Sequence, residues 1–257
     1  MTHKSITLLG LEGKTALVSG SSRGVGRAVA FALARAGAKV AVNYVRNEAE
    51  ADKVVGDIKA LGADAVAIRA DVTVEADAVR LVRETEGKLG PVDILVNNVH
   101  GNIQRAAFLE STWEAHQAQM DGILKGAYFL TADVLPGMKA RGWGRVVNIG
   151  NNMVVEPVPG YSAYTSSMAA LLGFTRNLAA EAGPWGVTVN MVSPGFVLTE
   201  QVPHTTEAAR NAIAGHTPLG RLATPDDIAG AVLFFCSELG RFVTGADLSV
   251  DGGKVMT

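Results

Sequence analysis

The sequence predicts a doubly wound α/β domain, and two patterns along the chain predict it. Short apolar runs rich in Val, Ile, Leu and Ala alternate with longer segments of helical periodicity. Several of the short runs are apolar at almost every position, as expected when helices cover both faces of a parallel sheet. The chain has 257 residues and shows no linker, repeat or low-complexity segment. We therefore predict a single domain over residues 1–257, with seven parallel strands and helices on both faces.

Seven segments have the composition expected of strands, and most of them are bounded by Gly, Asp, Asn or Pro. In chain order they are KTALVSG (14–20), AKVAVNY (38–44), ADAVAIRAD (63–71), PVDILVNN (91–98), GRVVNIG (144–150), GVTVNMVSPG (186–195) and ADLSVDGG (246–253). Ligands of doubly wound sheets bind at the carboxyl ends of the strands. The residues that follow these segments are therefore the first candidates for a functional site.

The segments between the strands carry apolar residues at helical spacing, and many of them end at glycine. Examples are GRAVAFALARAG (26–37) and EAEADKVVGDIKALG (48–62). The stretch from about residue 196 to 222 has neither clear strand nor core-helix character. It is polar and includes His204 and His216. We interpret this stretch as a candidate substrate lid, with an ordinary surface excursion as the alternative.

The composition predicts a soluble, cytoplasmic protein with a sizeable core. The chain is 48% hydrophobic and 19% charged, and its formal net charge is −2. This balance gives no electrostatic reason to expect nucleic acid or a membrane as a partner. No signal peptide core or membrane-spanning run is present in the sequence. Cys236 is the single cysteine and has apolar neighbours, so we expect a buried thiol, no intrachain disulfide and no cysteine-rich metal site.

A glycine-rich turn follows the first predicted strand in the segment SGSSRGVGRAVA (19–30). The spacing alone is a weak signal in a chain with 29 glycines, but a strand precedes it and an Ala-rich helix follows. Glycine allows a sharp turn, and the helix N-terminus then offers N–H groups and a positive dipole to a pyrophosphate. We therefore predict a dinucleotide site at this turn. The predicted contact residues of the turn are Gly20, Ser22, Arg23, Gly24, Val25 and Gly26.

The end of the second strand indicates which dinucleotide is bound. Sites that prefer NAD(H) usually place a carboxylate there to hold the ribose 2′-hydroxyl. Here Asn43 and Tyr44 end the strand, and no acidic residue occurs from position 40 to 47. Arg23 and Arg46 could both lie within reach of a 2′-phosphate; the alternative is that both are solvated surface residues. We predict NADP(H), with NAD(H) less favoured.

Four further motifs follow the glycine turn in order, ADV (70–72), LVNN (95–98), SPGFVLT (193–199) and VDGG (250–253). Together the motifs resemble the short-chain dehydrogenase/reductase family, in particular its 3-oxoacyl-carrier-protein reductase-like members, from about residue 11 to 253. The resemblance implies a Rossmann fold, a small-molecule substrate and a tetramer. It also implies further cofactor contacts, at the adenine from Asp71 and Val72, along the cofactor from Asn97, and near the nicotinamide from Pro194, Gly195, Val197 and Thr199.

The reactive residues of that family are Asn, Ser, Tyr and Lys, and only the tyrosine is retained here. The resemblance places Ile123 at the Asn position, Asn151 at the Ser position and Met168 at the Lys position, whereas Tyr164 matches. The usual NNAG has become NNVH, which places His100 beside the predicted cofactor channel. Asn151 could orient a carbonyl oxygen or serve only in a strand-end turn. His100 could act as an acid or base near neutral pH.

Loss of the lysine changes what the tyrosine can do. Without a neighbouring ammonium, a tyrosine with a pKa near 10 is only about 0.1% ionised at neutral pH. Tyr164 should therefore be a poor base for alcohol oxidation at pH 7, with activity rising toward pH 10. It is less impaired as a hydrogen-bond donor to a carbonyl, because the neutral form is the donor.

Three functions remain open from the sequence. The first is an NADP(H)-dependent carbonyl reductase that works with Tyr164 and Asn151. The second is a non-redox enzyme, for elimination, cyclisation or isomerisation, in which Tyr164 or His100 handles protons. The third is a catalytically silent, cofactor-binding subunit that pairs with an active relative. The resemblance favours the first function, with a homotetramer as the expected assembly and a hetero-oligomer as the alternative.

Overall fold

Seven parallel strands form the centre of the computed structural model, which describes residues 9–200 and 205–256. The strands are β1 (Thr15–Val18), β2 (Lys39–Tyr44), β3 (Ala65–Arg69), β4 (Val92–Asn97), β5 (Gly144–Ile149), β6 (Val187–Pro194) and β7 (Asp247–Val250). Each lies inside one of the seven segments predicted as strands. The prediction of a seven-stranded parallel sheet is confirmed.

The order of the strands across the sheet is β3-β2-β1-β4-β5-β6-β7. Leu17 of β1 pairs with Ala41 of β2 on one side and with Leu95 of β4 on the other. The chain therefore runs outward from β1 to β3 and then crosses back to begin the other half at β4. This reversal is the topological switch point, where doubly wound folds bind ligands at the carboxyl ends of the strands.

Eight α-helices in the described residues surround the sheet. They are α1 (Gly24–Arg35), α2 (Glu48–Ala60), α3 (Glu75–Leu89), α4 (Trp113–Met120), α5 (Gly126–Arg141), α6 (Ser162–Ala182), α7 (Glu207–Gly215) and α8 (Pro225–Cys236). The buried apolar side chains of α1, α2 and α8 belong to one cluster, and the buried apolar side chains of α3 with most of those of α5 belong to another. The sheet is thus covered on both faces.

The strands alternate between these two clusters, which explains their near-continuous apolar sequences. In β1, Ala16 and Val18 pack in the cluster with α1 and α8, whereas Leu17 packs in the cluster with α3 and α5. All three are fully buried. Because both faces of the strand must be apolar, the alternation of polar and apolar residues seen in half-exposed strands is absent.

The predicted lid, residues 196–222, contains α7, which the sequence pattern did not reveal as a core helix. Thr206 caps this helix by accepting a hydrogen bond from the backbone N–H of Ala209, at 3.2 Å. No residue of α7 is buried, so the helix lies on the surface of the domain. His204 and its neighbours from 201 to 203 lie outside the described residues.

The sequence analysis expected a buried thiol and no membrane-spanning run, and both expectations can be compared with the described residues. Cys236 is fully buried, as predicted, and burial raises the pKa of its thiol to about 12, so it is protonated at neutral pH. Within residues 9–200 and 205–256, no helix combines the length and apolar character needed to cross a bilayer. The same residues contain no group of three or more His, Cys, Asp or Glu side chains that could hold a metal ion.

Candidate cofactor and catalytic site

The glycine turn joins β1 to α1 at the carboxyl edge of the sheet. Gly20 and Gly24 have φ values of 61° and 56°, a backbone region that side chains with a Cβ rarely adopt. A Cβ on Gly26 would lie 2.5 Å from the carbonyl oxygen of Gly20, so the helix can approach the turn only with glycine there. Arg23, the N-cap residue of α1, makes no side-chain cap. The first turn of α1 therefore fits the anionic centre of a dinucleotide.

Asn43 holds the turn in place from the end of β2. Its Oδ1 accepts a hydrogen bond from the N–H of Gly20 at 3.0 Å, and its Nδ2 donates to the carbonyl of Ala70 at 3.0 Å. Its own N–H donates to Oγ of Ser21 at 3.1 Å. The side chain is fully buried. The sequence analysis predicted a cofactor contact for Asn43, but the structure gives it a positioning role, because its polar atoms are used inside the protein.

Asn97, which was predicted to lie along the cofactor, is 6% exposed, and its buried Oδ1 has no hydrogen-bond partner among the described residues. Its Nδ2 donates to Oδ1 of Asn148 at 2.8 Å and to Oγ1 of Thr131 at 3.3 Å, so the side chain points toward β5 and α5. The neighbouring Asn98, which the sequence analysis did not select, contacts the turn instead. Its Nδ2 donates to the carbonyls of Ser19 and Gly20 at 3.0 and 3.2 Å. The pair of asparagines at the end of β4 was the available signal in the sequence. Only the packing of the folded chain shows that Asn98, and not Asn97, contacts the glycine turn.

The residues predicted for the adenosine end cluster beyond β2 and β3. Tyr44 is nearly buried, and burial raises the pKa of its hydroxyl, with the carboxylate of Glu48 adding to the effect. Arg23 and Arg46 are exposed, and neither forms an ion pair with another described residue. Two unpaired guanidinium groups near this end are compatible with a 2′-phosphate. Glu48, one position beyond the window searched in the sequence, is the acidic residue beside Tyr44.

Asp71 and Val72 follow β3 and have different environments. Oδ1 of Asp71 accepts hydrogen bonds from the N–H and the hydroxyl of Thr73, at 3.0 and 2.7 Å. Val72 is 2% exposed and packs against Gly126, where a Cβ would come within 2.7 Å of its Cγ2. Asp71 remains partly exposed. Of the two, Asp71 is the residue whose side chain can still face an adenine.

The motif predicted to lie near the nicotinamide runs from the end of β6 to the glycine turn. Pro194 ends the strand, and Gly195 packs so closely that a Cβ there would lie 2.8 Å from Cβ of Asp251. Val197 forms an isolated bridge with Ala223. The Cγ2 of Thr199 lies 3.7 Å from the position of a Cβ on Gly24. The structure thus brings this motif and the glycine turn together. Ser22 and Val25, within the turn, are partly buried.

Tyr164 lies on α6 in an apolar cluster with Ile123 and Met168, the residues that the resemblance predicts at the family's Asn and Lys positions. The three side chains are 3%, 2% and 0% exposed. Burial raises the pKa of Tyr164, with a smaller contribution from Tyr161, so the hydroxyl stays neutral well past its ordinary value. The sequence analysis expected alcohol oxidation to rise toward pH 10, and the raised pKa of Tyr164 places that expected rise at higher pH.

Ile123 sits in a π-helical turn, Asp121–Lys125, that joins α4 to α5. A π-helical turn interrupts the regular i to i−4 hydrogen bonding and is found mostly at functional positions. The turn occurs here although the asparagine side chain is absent. The hydroxyl of Tyr164, one helix away, makes no hydrogen bond to any described residue. It is therefore available as a donor to a ligand.

His100 lies between the ends of β4 and β5. Its Nε2 is 2.8 Å from the carbonyl oxygen of Ile149, and its ring meets the ring of Tyr164 edge-on, with 6.2 Å between centroids. Burial lowers the pKa of the imidazole, and the bond to the carbonyl opposes this only in part. The ring is therefore neutral at pH 7. Because a carbonyl only accepts, Nε2 carries the proton and Nδ1 keeps its lone pair.

Asn151 has the turn role, one of the two alternatives that the sequence left open. Its Oδ1 accepts a hydrogen bond from the N–H of Met153 at 2.8 Å and caps a 3₁₀ turn, Asn152–Val154. This bond fixes the amide so that Nδ2 points away from the cap. Within the described residues Nδ2 has no partner, and the side chain is partly exposed. A turn role is thus present, and a free donor remains.

Two residues near the mouth of this site were not selected from the sequence. The ring of Tyr161 lies 6.4 Å from that of Tyr164, and the guanidinium of Arg105 lies 5.5 Å above the ring of Tyr161. The loop that carries Arg105 is attached to the start of α6 by a 3.0 Å bond from the N–H of Ala106 to the carbonyl of Gly160. No sequence motif linked this loop to α6, since the contact is formed only in the folded chain.

A glycine turn at the switch point of a doubly wound sheet defines the class of dinucleotide-binding α/β domains. Comparison with known proteins narrows this class. The family described as enoyl-(acyl carrier protein) reductase matches residues 20–254. The 3-oxoacyl-[acyl-carrier-protein] reductase of Synechocystis is 36% identical over 96% of this chain and 98% of its own length. The chain belongs to the short-chain dehydrogenase/reductase family.

Two solved structures are similar over almost the whole chain. A dehydrogenase/reductase from Sinorhizobium meliloti has a TM-score of 0.89 and 38% identity, covering 97% of this chain and 98% of that one. A blue fluorescent protein from a metagenomic library, solved in complex with NADPH, has a TM-score of 0.89 and 35% identity, covering 96% and 100%. These comparisons confirm the predicted family and its doubly wound fold.

Proposed function

We propose that this chain binds NADP(H) and reduces a ketone, with a 3-oxoacyl group as the first candidate substrate. The observation that carries the proposal is the hydroxyl of Tyr164, which is neutral and has no partner among the described residues. The similar protein solved with NADPH and the similar 3-oxoacyl reductase support the cofactor and the substrate class. The exposed guanidinium groups of Arg23 and Arg46 support NADP(H) over NAD(H).

Separate side chains would bind the carbonyl oxygen and supply the proton during reduction. A bound nicotinamide would supply the hydride to the carbonyl carbon. Tyr164 donates a hydrogen bond to the carbonyl oxygen and then its proton as the alcohol forms. Nδ2 of Asn151 is the second donor available to that oxygen. Met168 and Ile123 cannot return a proton to Tyr164, so its hydroxyl is restored from solvent and turnover is slow.

The test is NADPH consumption by the purified protein with a panel of ketones that includes 3-oxoacyl thioesters. We expect slow turnover that requires Tyr164, with Tyr164→Phe reducing kcat by at least about tenfold, in line with the usual contribution of a general acid. Tyr161→Phe is the matched control, because it removes a nearby hydroxyl from the same helix end. NADPH binding without turnover on any ketone, or turnover unchanged in Tyr164→Phe, would refute the reductase.

A non-redox activity is a second candidate, and the neutral imidazole of His100 favours it. With Nε2–H bound to the carbonyl of Ile149, the lone pair on Nδ1 is free to accept a proton from a substrate. Such an activity would be independent of NADP(H) oxidation state and abolished in His100→Gln. A catalytically silent subunit predicts NADPH binding with no turnover of either kind.

A further inference from the structure

Glu200 places a carboxylate at the N-terminus of α1. Its Oε1 lies 2.5 Å from Nη2 of Arg27, which belongs to the first turn of that helix. The preceding residue, Thr199, has its methyl group 3.7 Å from the position of a Cβ on Gly24. Thr199 thus packs against the glycine turn, and Glu200 forms an ion pair with the first turn of the helix that follows it.

The carboxylate of Glu200 is anionic at neutral pH. Its own backbone N–H lowers its pKa the most, and Arg27 and the N–H of Gly24 lower it further, although partial burial opposes them. The N–H of Gly24 is one of the helix-terminal donors that point outward at the turn. Arg23 does not cap these donors with its side chain. Glu200 therefore supplies the negative charge that this helix end attracts.

The same donors are the ones that a dinucleotide pyrophosphate would use. Two anions cannot share one set of N–H groups, because they repel each other and compete for the same hydrogens. We propose that Glu200 is an internal anion that occupies the pyrophosphate position in the free protein and leaves when the cofactor binds. This inference rests on the proposed binding of NADP(H).

The expected change in cofactor affinity follows from the solvent exposure of the ion pair between Arg27 and Glu200. The side chains of Arg27 and Glu200 are 37% and 54% exposed, so solvent screens their attraction. Cofactor affinity is reduced by the fraction of molecules in which Glu200 holds the site. If Glu200 holds the site in roughly two thirds to nine tenths of the molecules, binding is weakened by about three- to tenfold, a range expected for one exposed pair and one helix-terminal charge.

The test compares Glu200→Gln with wild type by calorimetric titration with NADPH and with 2′-AMP, which lacks the pyrophosphate. Glu207→Gln is the matched control, because it removes an equal charge from an exposed site in the first turn of α7. We expect Glu200→Gln to bind NADPH about three- to tenfold more tightly, with 2′-AMP affinity unchanged. Glu207→Gln should match wild type with both ligands.

Each outcome separates this inference from the proposed function. NADPH affinity in Glu200→Gln that equals or falls below that of wild type overturns the internal anion. A gain that is equal for 2′-AMP, or equal in Glu207→Gln, also overturns it, since the effect would then be general electrostatics. Wild-type protein that binds neither NADPH nor NADH refutes the proposed function itself, before any variant is compared.

Discussion

The hydroxyl of Tyr164 has a different pKa here from the hydroxyl of a tyrosine that lies beside a lysine. A neighbouring ammonium would lower its pKa, whereas burial beside Met168 and Ile123 raises it. The neutral hydroxyl is favoured through the range in which enzymes work. We therefore expect Tyr164 to donate a hydrogen bond to a carbonyl far better than it abstracts a proton from an alcohol. The two apolar replacements are consistent with each other, because neither introduces a polar side chain that would need a hydrogen-bond partner.

One prediction concerns variants in which the reactive residues typical of the family are put back at positions 123, 151 and 168. Met168→Lys alone buries an ammonium in an apolar cluster, so we expect loss of stability and little gain in hydride transfer. Ile123→Asn, Asn151→Ser and Met168→Lys together should increase NADPH-dependent ketone reduction by at least about tenfold, because a lowered tyrosine pKa and a proton relay are restored. Steady-state turnover and thermal melting of each variant measure both effects. No gain from the triple variant, with NADPH still bound, would show that the site serves another reaction.

Elements are joined at the carboxyl edge of the sheet by polar side chains. Asn43 joins β2 to the glycine turn, Asn98 joins β4 to the same turn, and His100 joins the end of β4 to Ile149 of β5. Nδ2 of Asn152 donates to Oδ2 of Asp251 at 3.2 Å and joins the end of β5 to the residues after β7. These bonds fix the spacing of the loops that form the site.

The buried imidazole of His100, which donates a hydrogen bond to the carbonyl of Ile149, should make the free energy of unfolding depend on pH. The folded state lowers the pKa of the imidazole, whereas the unfolded chain takes up its proton near the ordinary pKa of about 6.5. Protons therefore favour the unfolded state as pH falls below this value, and the free energy of unfolding should fall by roughly 1 kcal/mol per pH unit from this group. Urea denaturation between pH 8 and 5 should show a smaller slope in His100→Gln. Equal slopes in the two proteins would contradict the assignment.

At the scale of the whole molecule, an exposed apolar surface lies around α4 and the start of α5. Phe108, Leu109 and Trp113 are 71%, 96% and 69% exposed, and Tyr128 of α5 is 57% exposed. Exposed aromatic side chains in one region are typical of a protein–protein interface. This surface supports the expected assembly through the long helices that hold Ile123 and Tyr164.

We therefore predict a homotetramer, measured by light scattering at micromolar concentration. Trp113→Glu should shift the protein to smaller species, because it places a charge in the apolar contact. Leu61→Glu is the control, since Leu61 is 51% exposed at the end of α2 and away from this surface. A wild-type protein that is monomeric throughout the micromolar range would contradict the prediction.

The sequence was sufficient for features that depend on short-range pattern. The apolar runs of β1 to β7 could be located because a strand buried on both faces has few polar residues. The glycine turn could be located because Gly20, Gly24 and Gly26 stand between a strand and a helix. The family's reactive positions could be compared because Tyr164 and Met168 are one helical turn apart.

The sequence by itself thus determined the fold and the place of the glycine turn, and it predicted the loss of three reactive residues. Only the tertiary structure decided which side chains face the site. Asn97 ends β4 and contacts β5 and α5, whereas the adjacent Asn98 contacts the glycine turn, because the chain changes direction where the strand ends. Glu200 meets Arg27 across 173 positions, and no local pattern encodes a contact between segments so far apart in the chain.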